Sequence, residues 1–148
     1  MKLISSLALV AALYISSSTA LELCGSKKNV NIYDSKFAEG SVNPMNEMCI
    51  KIEGEFESTF NYGSVVEFTA AHGGITKTWK SDAYSSMRPN SVLLEKGEHE
   101  FQACSFLPPE YQNAEKGQIS IKVEFYNKDS EGDLVPFFCV KGGAPIKK

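Results

Sequence analysis

The sequence predicts an all-β protein, and two observations support this prediction. Over residues 119–126, apolar side chains alternate strictly with polar ones, which is the period of a strand with one buried face. The polar segment 127–133, which contains Gly132, follows directly and has the composition of a hairpin loop. The chain therefore contains at least one antiparallel hairpin near its C-terminus.

The N-terminal half shows the same period of two in shorter segments. A first strand is predicted over residues 29–33, and residues 34–47, rich in turn-forming residues, are predicted to form a loop. A second strand is predicted over residues 49–60, because its charged residues share one face. Gly54 lies on the apolar face of that segment, where a glycine marks a bend, a bulge or a close approach of another backbone.

The remaining segments complete a β-sandwich. Residues 81–89 are predicted to form a loop, no window predicts a helix, and Pro136 predicts that the last strand is an edge strand, because proline cannot donate to a ladder. The pattern predicts an immunoglobulin-like antiparallel sandwich of two sheets with seven or eight strands. The other strands fall at residues 65–71, 75–79, 92–95, 98–104 and 134–139.

The first residues have the composition of a secretory signal peptide. Lys2 precedes an apolar run over residues 3–15, and small residues end at Ala20, after which we predict cleavage. A membrane anchor is the alternative, but the run is shorter than the ~20 residues of a spanning helix. Residues 1–20 are thus assigned to the signal and residues 21–148 to one domain.

Charge and cysteine content restrict the class of protein further. The net charge is −3 with both signs interspersed, which argues against nucleic acid as a partner and indicates a soluble surface. We also expect a monomer. The four cysteines of a secreted chain predict two disulfides, with three pairings open. No Asn-x-Ser/Thr site occurs, so we predict no N-glycan.

Signals for catalysis are weak. His72 and His99 stand alone, and no nucleophile, zinc or phosphate-binding motif occurs. An acidic cluster at Asp129, Glu131 and Asp133 is compatible with Ca²⁺, but it lacks the spacing of a calcium-binding loop and fits a charged hairpin better. We therefore predict a non-enzymatic protein without metal or cofactor.

Aromatic residues are frequent on the predicted inward faces. An ordinary packed core and a lipid cavity are made of the same residues, and periodicity does not distinguish them. The residues in question are Phe56, Phe60, Phe68, Phe101, Phe125, Trp79, Phe106 and Phe138.

A set of short motifs, by its order and spacing, resembles the ML lipid-recognition family. The motifs are Cys24-Gly25, Gly54-Glu55-Phe56, Tyr62-Gly63, Val66, Phe68, Gly74-Ile75, Glu95-Lys96-Gly97, Leu107-Pro108, Tyr111, the strand at residues 119–125, Asp129 and Cys139. The chain looks most similar to the fungal phosphatidylglycerol/phosphatidylinositol transfer proteins and to the Niemann-Pick type sterol carriers of that family.

The resemblance implies a two-sheet sandwich that is splayed to hold a lipid between its sheets. It also implies a disulfide between Cys24 and Cys139, and with it the pairing of Cys49 with Cys104. The chain departs from the family at residues 82–91, which lack the usual pair of cysteines.

The implied function is binding or transfer of a phospholipid acyl chain, a fatty acid or a sterol, with transient membrane contact. The implied location is extracellular or the lumen of a lysosome or vacuole. One wall of the cavity is predicted at residues 121–125 and the other at residues 66–68. The predicted lipid-binding residues are Val66, Phe68, Trp79, Phe101, Phe106, Tyr111, Ile121, Val123 and Phe125.

Two alternatives remain at this level. One is a closed sandwich that binds a receptor or host protein, and the other is an accessory protein that presents lipid to a hydrolase.

Overall fold

Two antiparallel β-sheets make up the protein. The structure is a computed structural model that describes residues 20–90 and 93–148, so the predicted signal peptide lies outside the described residues except for Ala20. Nine strands are present in the described ranges, two of them only two or three residues long, and the predicted sandwich is confirmed. They are β1 (Glu22–Cys24), β2 (Val30–Phe37), β3 (Met48–Phe56), β4 (Val65–His72), β5 (Ile75–Asp82), β6 (Met87–Arg88), β7 (Gly97–Ser105), β8 (Gln118–Lys128) and β9 (Leu134–Pro145).

The strand order defines two flanks of the sandwich. The five-stranded sheet has the order β1-β9-β8-β4-β5, and the four-stranded sheet has the order β2-β3-β7-β6. Edge strands β1 and β2 meet at one flank, where Ala20 bridges to Lys36. Edge strands β5 and β6 lie at the other flank and are joined by the one-turn helix α1 (Ala83–Ser86). We call these the β1/β2 flank and the β5/β6 flank.

Strand β8 follows the predicted alternation. Its residues Ile119, Ile121, Val123 and Phe125 are buried, while Ser120 and the other polar positions between them face outward. The hairpin that follows is closed by the Asp129 side chain, whose Oδ1 accepts the backbone N–H groups of Glu131 and Asp133. The carboxylate of Asp129 thus has a structural use in the loop.

Gly54 marks a close approach of two backbones, which is one of the three possibilities predicted for this glycine. A Cβ atom at this position would lie 2.6 Å from the carbonyl oxygen of Asn31 on β2. The register between β2 and β3 also shifts between Ile32 and Asp34. A side chain at position 54 would therefore push the bulged strand β2 away.

Two segments that were predicted to be loops are partly regular. Strand β2 continues to Phe37, so the loop predicted for residues 34–47 is wrong at its start; Phe37 is buried, and core packing outweighs the local turn composition. The loop predicted for residues 81–89 contains α1, whose N-cap Asp82 accepts the backbone N–H of Ser85 at 3.0 Å. Asp82 and the inward packing of α1 explain why this helix forms.

Two strand predictions also change. Strand β3 ends at Phe56, and Phe60 instead forms an isolated bridge with Leu94. Strand β9 is not an edge strand, because β1 and β8 lie on its two sides. Pro136 is tolerated because a register shift follows Phe125 on β8 and because β1 pairs only with residues 139–141 of β9.

Both predicted disulfides are confirmed, and each lies within one sheet. Cys24 on β1 is bonded to Cys139 on β9, and the two are register partners in the five-stranded sheet. Cys49 on β3 is bonded to Cys104 on β7, again between register partners, in the four-stranded sheet. No disulfide therefore joins one sheet to the other, since these are the four cysteines of the chain.

No helix in the described ranges is long and apolar enough to cross a membrane.

Replacing Gly54 by alanine should destabilise the fold. The new Cβ would lie 2.6 Å from a backbone oxygen, which forces β2 to move. We expect a loss of about 1–3 kcal/mol in the free energy of unfolding, measured by urea denaturation. Gly143→Ala is the matched control, because a Cβ there meets its nearest atom at 3.5 Å. Equal midpoints for the two variants would contradict the close-approach role of Gly54.

Candidate functional site

The space between the sheets is lined by apolar side chains from both inner faces. The five-stranded sheet contributes Val66 and Phe68 from β4, with more residues from β8. The four-stranded sheet contributes Ile52 from β3 and Phe101 from β7, among others. Further buried inward residues of the two faces include Ala70, Ile121, Val123, Phe125, Phe138, Ile50, Phe56, Met87 and Ala103.

The assignment of the two predicted walls is wrong. Val66 pairs with Phe125 and Phe68 pairs with Val123, because β4 and β8 are neighbours in one sheet. The two predicted sets therefore form a single wall. The opposite wall comes from β3 and β7, and Phe101 is the predicted site residue that lies on it.

A layer of phenylalanines joins the two inner faces. Phe101 of one sheet meets Phe125 of the other edge-on, with ring centroids 6.0 Å apart. Phe56 meets Phe138 across the same interface at 6.0 Å, and Phe125 stacks on Phe138 at 4.2 Å. Such pairs contribute about 0.5–1.5 kcal/mol each beyond their area burial. This aromatic layer is a main attraction between the sheets.

Hydrogen bonds join the sheets at the β1/β2 flank. The backbone N–H of Leu21 donates to the carbonyl oxygen of Ser35 at 2.8 Å, and the Ser35 hydroxyl donates back to the Leu21 carbonyl oxygen at 2.9 Å. Further along, the Asn29 side-chain amide donates to the carbonyl oxygen of Phe137 at 2.9 Å. Most of the donors and acceptors in these hydrogen bonds are backbone groups, and the bonds close this flank of the sandwich.

The β5/β6 flank is closed differently, by the side chain of Trp79. The indole ring lies inward from β5 and stacks on Phe68 with ring centroids 5.6 Å apart. Its Nε1–H crosses to the four-stranded sheet and donates to the Ser105 hydroxyl at 2.8 Å. Strand β6 has just two residues, which pair with Gln102 and Ala103, so the Trp79 contact at Ser105 lies beyond the ladder between β6 and β7. Trp79 is partly exposed, and its bond to the four-stranded sheet joins two side chains.

Tyr111 closes one end of the sandwich beside Trp79. Its ring is buried, and its hydroxyl lies 2.8 Å from the Ala70 carbonyl oxygen and 2.9 Å from that of Ile75. Burial raises the pKa of this hydroxyl above its ordinary value. An ion pair between Lys77 and Glu110 at 3.2 Å ties the same loop to β5. The hydroxyl therefore joins this loop to β4 and β5.

Phe106 does not face the interior. It follows Ser105, and its side chain is 62% exposed, whereas the next residue, Leu107, is buried. Six predicted site residues lie on the inner faces, namely Val66, Phe68, Phe101, Ile121, Val123 and Phe125. Trp79, Tyr111 and Phe106 lie at the rim in three different environments.

Each of the two histidines contacts a backbone carbonyl, and the His99 ring also meets the buried Phe56 ring edge-on with centroids 5.2 Å apart. His72 Nδ1 lies 2.9 Å from the Gln118 carbonyl oxygen, and His99 Nε2 lies 2.6 Å from that of Glu95.

Sequence reasoning missed three residues of the β5/β6 flank. Ser105 accepts the Trp79 hydrogen bond, and Ser86 and Met87 are buried within the segment that was predicted to be a loop. A signal was present for the last two: Asp82 is a helix N-cap residue, and Ala83 and Ser86 are three positions apart on one helical face. No local signal identifies Ser105, because its partner is 26 residues away.

Comparison with known proteins identifies similar folds. The chain matches no protein-family model and no curated protein. The fold is similar to that of a Niemann-Pick type C2 protein from the Japanese carpenter ant, with a TM-score of 0.52 and 17% identity over 86% of this chain and 98% of that one. The C-terminal domain of wzt is also similar, with a TM-score of 0.58 and 12% identity over 92% of this chain and 85% of that domain. At these identities the similarity concerns the fold.

Replacing Tyr111 by phenylalanine should destabilise the end of the sandwich. The change removes the hydroxyl and leaves the carbonyl oxygens of Ala70 and Ile75 without this partner. We expect a loss of about 1–3 kcal/mol in unfolding free energy, measured by urea denaturation. Tyr62→Phe is the control, because Tyr62 is 73% exposed and should tolerate the change. If both variants unfold at the wild-type midpoint, the structural role of the Tyr111 hydroxyl is wrong.

Proposed function

We propose that this protein binds a lipid and holds its apolar part between the two sheets. The observation that carries the proposal is that neither disulfide joins the sheets, so the inner faces adhere through side-chain packing and can separate. The resemblance to lipid-recognition proteins and the similarity in fold to a Niemann-Pick type C2 protein support the same class of ligand.

The inner faces suit an apolar ligand and little else. Among the described residues, the polar groups on buried side chains are the hydroxyls of three serines and of Tyr111, and no charged side chain is buried. Burial of one methylene group contributes ~0.8 kcal/mol, so a long acyl chain or a sterol ring system gains enough to offset the cost of association. A ligand replaces contacts between the sheets with its own contacts, so the interior stays dry.

The β5/β6 flank is the proposed entrance. Opening it requires the loss of the hydrogen bond from Trp79 to Ser105 and displacement of the indole ring. Opening the β1/β2 flank would break backbone hydrogen bonds of Leu21 and Ser35 as well. Opening the flank at Trp79 costs less free energy than opening the β1/β2 flank. The sheets therefore hinge at the β1/β2 flank and separate at the β5/β6 flank.

The proposed role is transport or presentation of a lipid, without catalysis and without a metal or cofactor. We place the protein outside the cell or in the lumen of a lysosome or vacuole, because disulfides persist in oxidising compartments. It acts as a monomer that touches membranes transiently when it loads or releases its ligand.

Native mass spectrometry of the protein expressed in a eukaryotic secretory system tests both the ligand and the signal peptide. We expect a mass that starts at Leu21, plus an excess that organic solvent extracts as a lipid. Cleavage there leaves the Leu21 nitrogen in place to donate to Ser35. A bare mass, together with no uptake from mixed-lipid vesicles, would exclude the carrier function and favour a protein-binding module.

The single tryptophan of the chain reports directly on the entrance. A fatty acid brominated along its chain should quench Trp79 emission on binding, because the chain passes beside the indole ring. Ser105→Ala removes the acceptor of the indole N–H and should speed the quenching in a stopped-flow experiment, by about two- to tenfold for a lost hydrogen bond.

Ser130→Ala, in the exposed hairpin, should leave the rate unchanged. Unquenched Trp79 emission with lipid bound, as shown by mass spectrometry, would place the entrance elsewhere.

A further inference from the structure

Three serines are buried in the described part of the chain, and they differ in whether their hydroxyls have hydrogen-bond partners. The Ser35 hydroxyl donates to the Leu21 carbonyl oxygen at 2.9 Å, and the Ser64 hydroxyl donates to the Asn61 carbonyl oxygen at 2.6 Å. Within the described residues, the Ser86 Oγ has no hydrogen-bond partner although the residue is 1% exposed. A buried hydroxyl without a partner destabilises a fold, so its presence calls for an explanation.

The position of Ser86 relates it to the proposed entrance. It is the last residue of α1, which contacts β4 and β5 of one sheet and β7 of the other. Ser86 and Ala83 form the buried side of this helix, and the next residue, Met87, is an inward residue that pairs with Ala103. The unpartnered hydroxyl is therefore buried where the two sheets meet along the β5/β6 flank.

We infer that Ser86 is the polar anchor of the lipid site and that it selects an uncharged lipid that carries a hydroxyl group. This inference rests on the proposed function. A hydroxyl ligand both donates and accepts, so one hydrogen bond with Ser86 satisfies the buried groups of both partners.

The surroundings of Ser86 disfavour charged ligands. No charged side chain is buried among the described residues, so nothing in the interior neutralises a phosphate or a carboxylate. A buried ion without a counter-charge is far more costly than a buried hydroxyl with one hydrogen bond. A fatty acid or a phospholipid is therefore expected to keep its ionised group outside the flank, beyond the reach of a buried anchor.

The test compares three ligands with the same chain length: hexadecan-1-ol, hexadecane and palmitate. Each displaces the fluorescent apolar probe N-phenyl-1-naphthylamine from the full-length secreted protein at neutral pH. In the wild type the alcohol should compete best. Ser86→Ala should weaken the alcohol about three- to tenfold and leave hexadecane unchanged, because one hydrogen bond is lost.

A second readout separates an anchor from a structural serine. Without ligand, Ser86→Ala should raise the urea midpoint, because it removes a buried hydroxyl that has no partner. Ser35→Ala is the matched control: its hydroxyl is also buried but donates to Leu21, so this variant should lower the midpoint and leave alcohol binding unchanged.

Several results would overturn the inference. Equal competition by the alcohol and the alkane in the wild type would show that no anchor exists. A lower midpoint for Ser86→Ala, like that of Ser35→Ala, would show that the fold uses the hydroxyl. If neither the probe nor any of the three ligands binds the wild type, the proposed function itself is wrong and the inference falls with it.

Discussion

Adhesion between two apolar inner faces is the interaction on which the rest of this structure depends. Each disulfide reinforces a pair of strands that already share a ladder, and neither crosses the interior. In immunoglobulin domains the disulfide does cross from sheet to sheet over a buried tryptophan. Here the two sheets are held together by phenylalanine packing, including the pair Phe101 and Phe125. The covalent cross-links therefore lie within each sheet, and side-chain packing holds the inner faces together.

The two flanks divide the tasks of holding and opening. Backbone groups of Leu21 and Ser35 fix one flank, and a Trp79 side chain covers the other. Tyr111 anchors the adjoining loop to β4 and β5. In the proposed function, Trp79 would move against this anchored loop, and the fold would stay intact while its ligand is exchanged.

The local sequence pattern was sufficient to predict the β-sandwich, but it was insufficient to predict how the residues of the candidate site are arranged. Alternation in β8 identifies its buried face because the period of two is a property of the strand itself. The same pattern does not say which strands are neighbours, which is why Val66 and Val123 were assigned to opposite walls although β4 and β8 share one sheet. Contacts such as Trp79 with Ser105 join distant segments and leave no trace in local composition. The one-turn helix α1 was not predicted, because one cap residue and two inward residues are too short a pattern to identify a helix.

The flank that can open is also the place where the five-stranded sheet ends in β5. The outer row of backbone groups on an edge strand can pair with a strand of another molecule and so start aggregation. Lys77 and Lys80 stand on β5, and charged side chains, lysine above all, discourage such pairing. Their ion pairs with Glu110 and Glu67 hold these side chains near the strand. The lysines of β5 thus oppose edge-to-edge pairing at the flank where the proposed entrance lies.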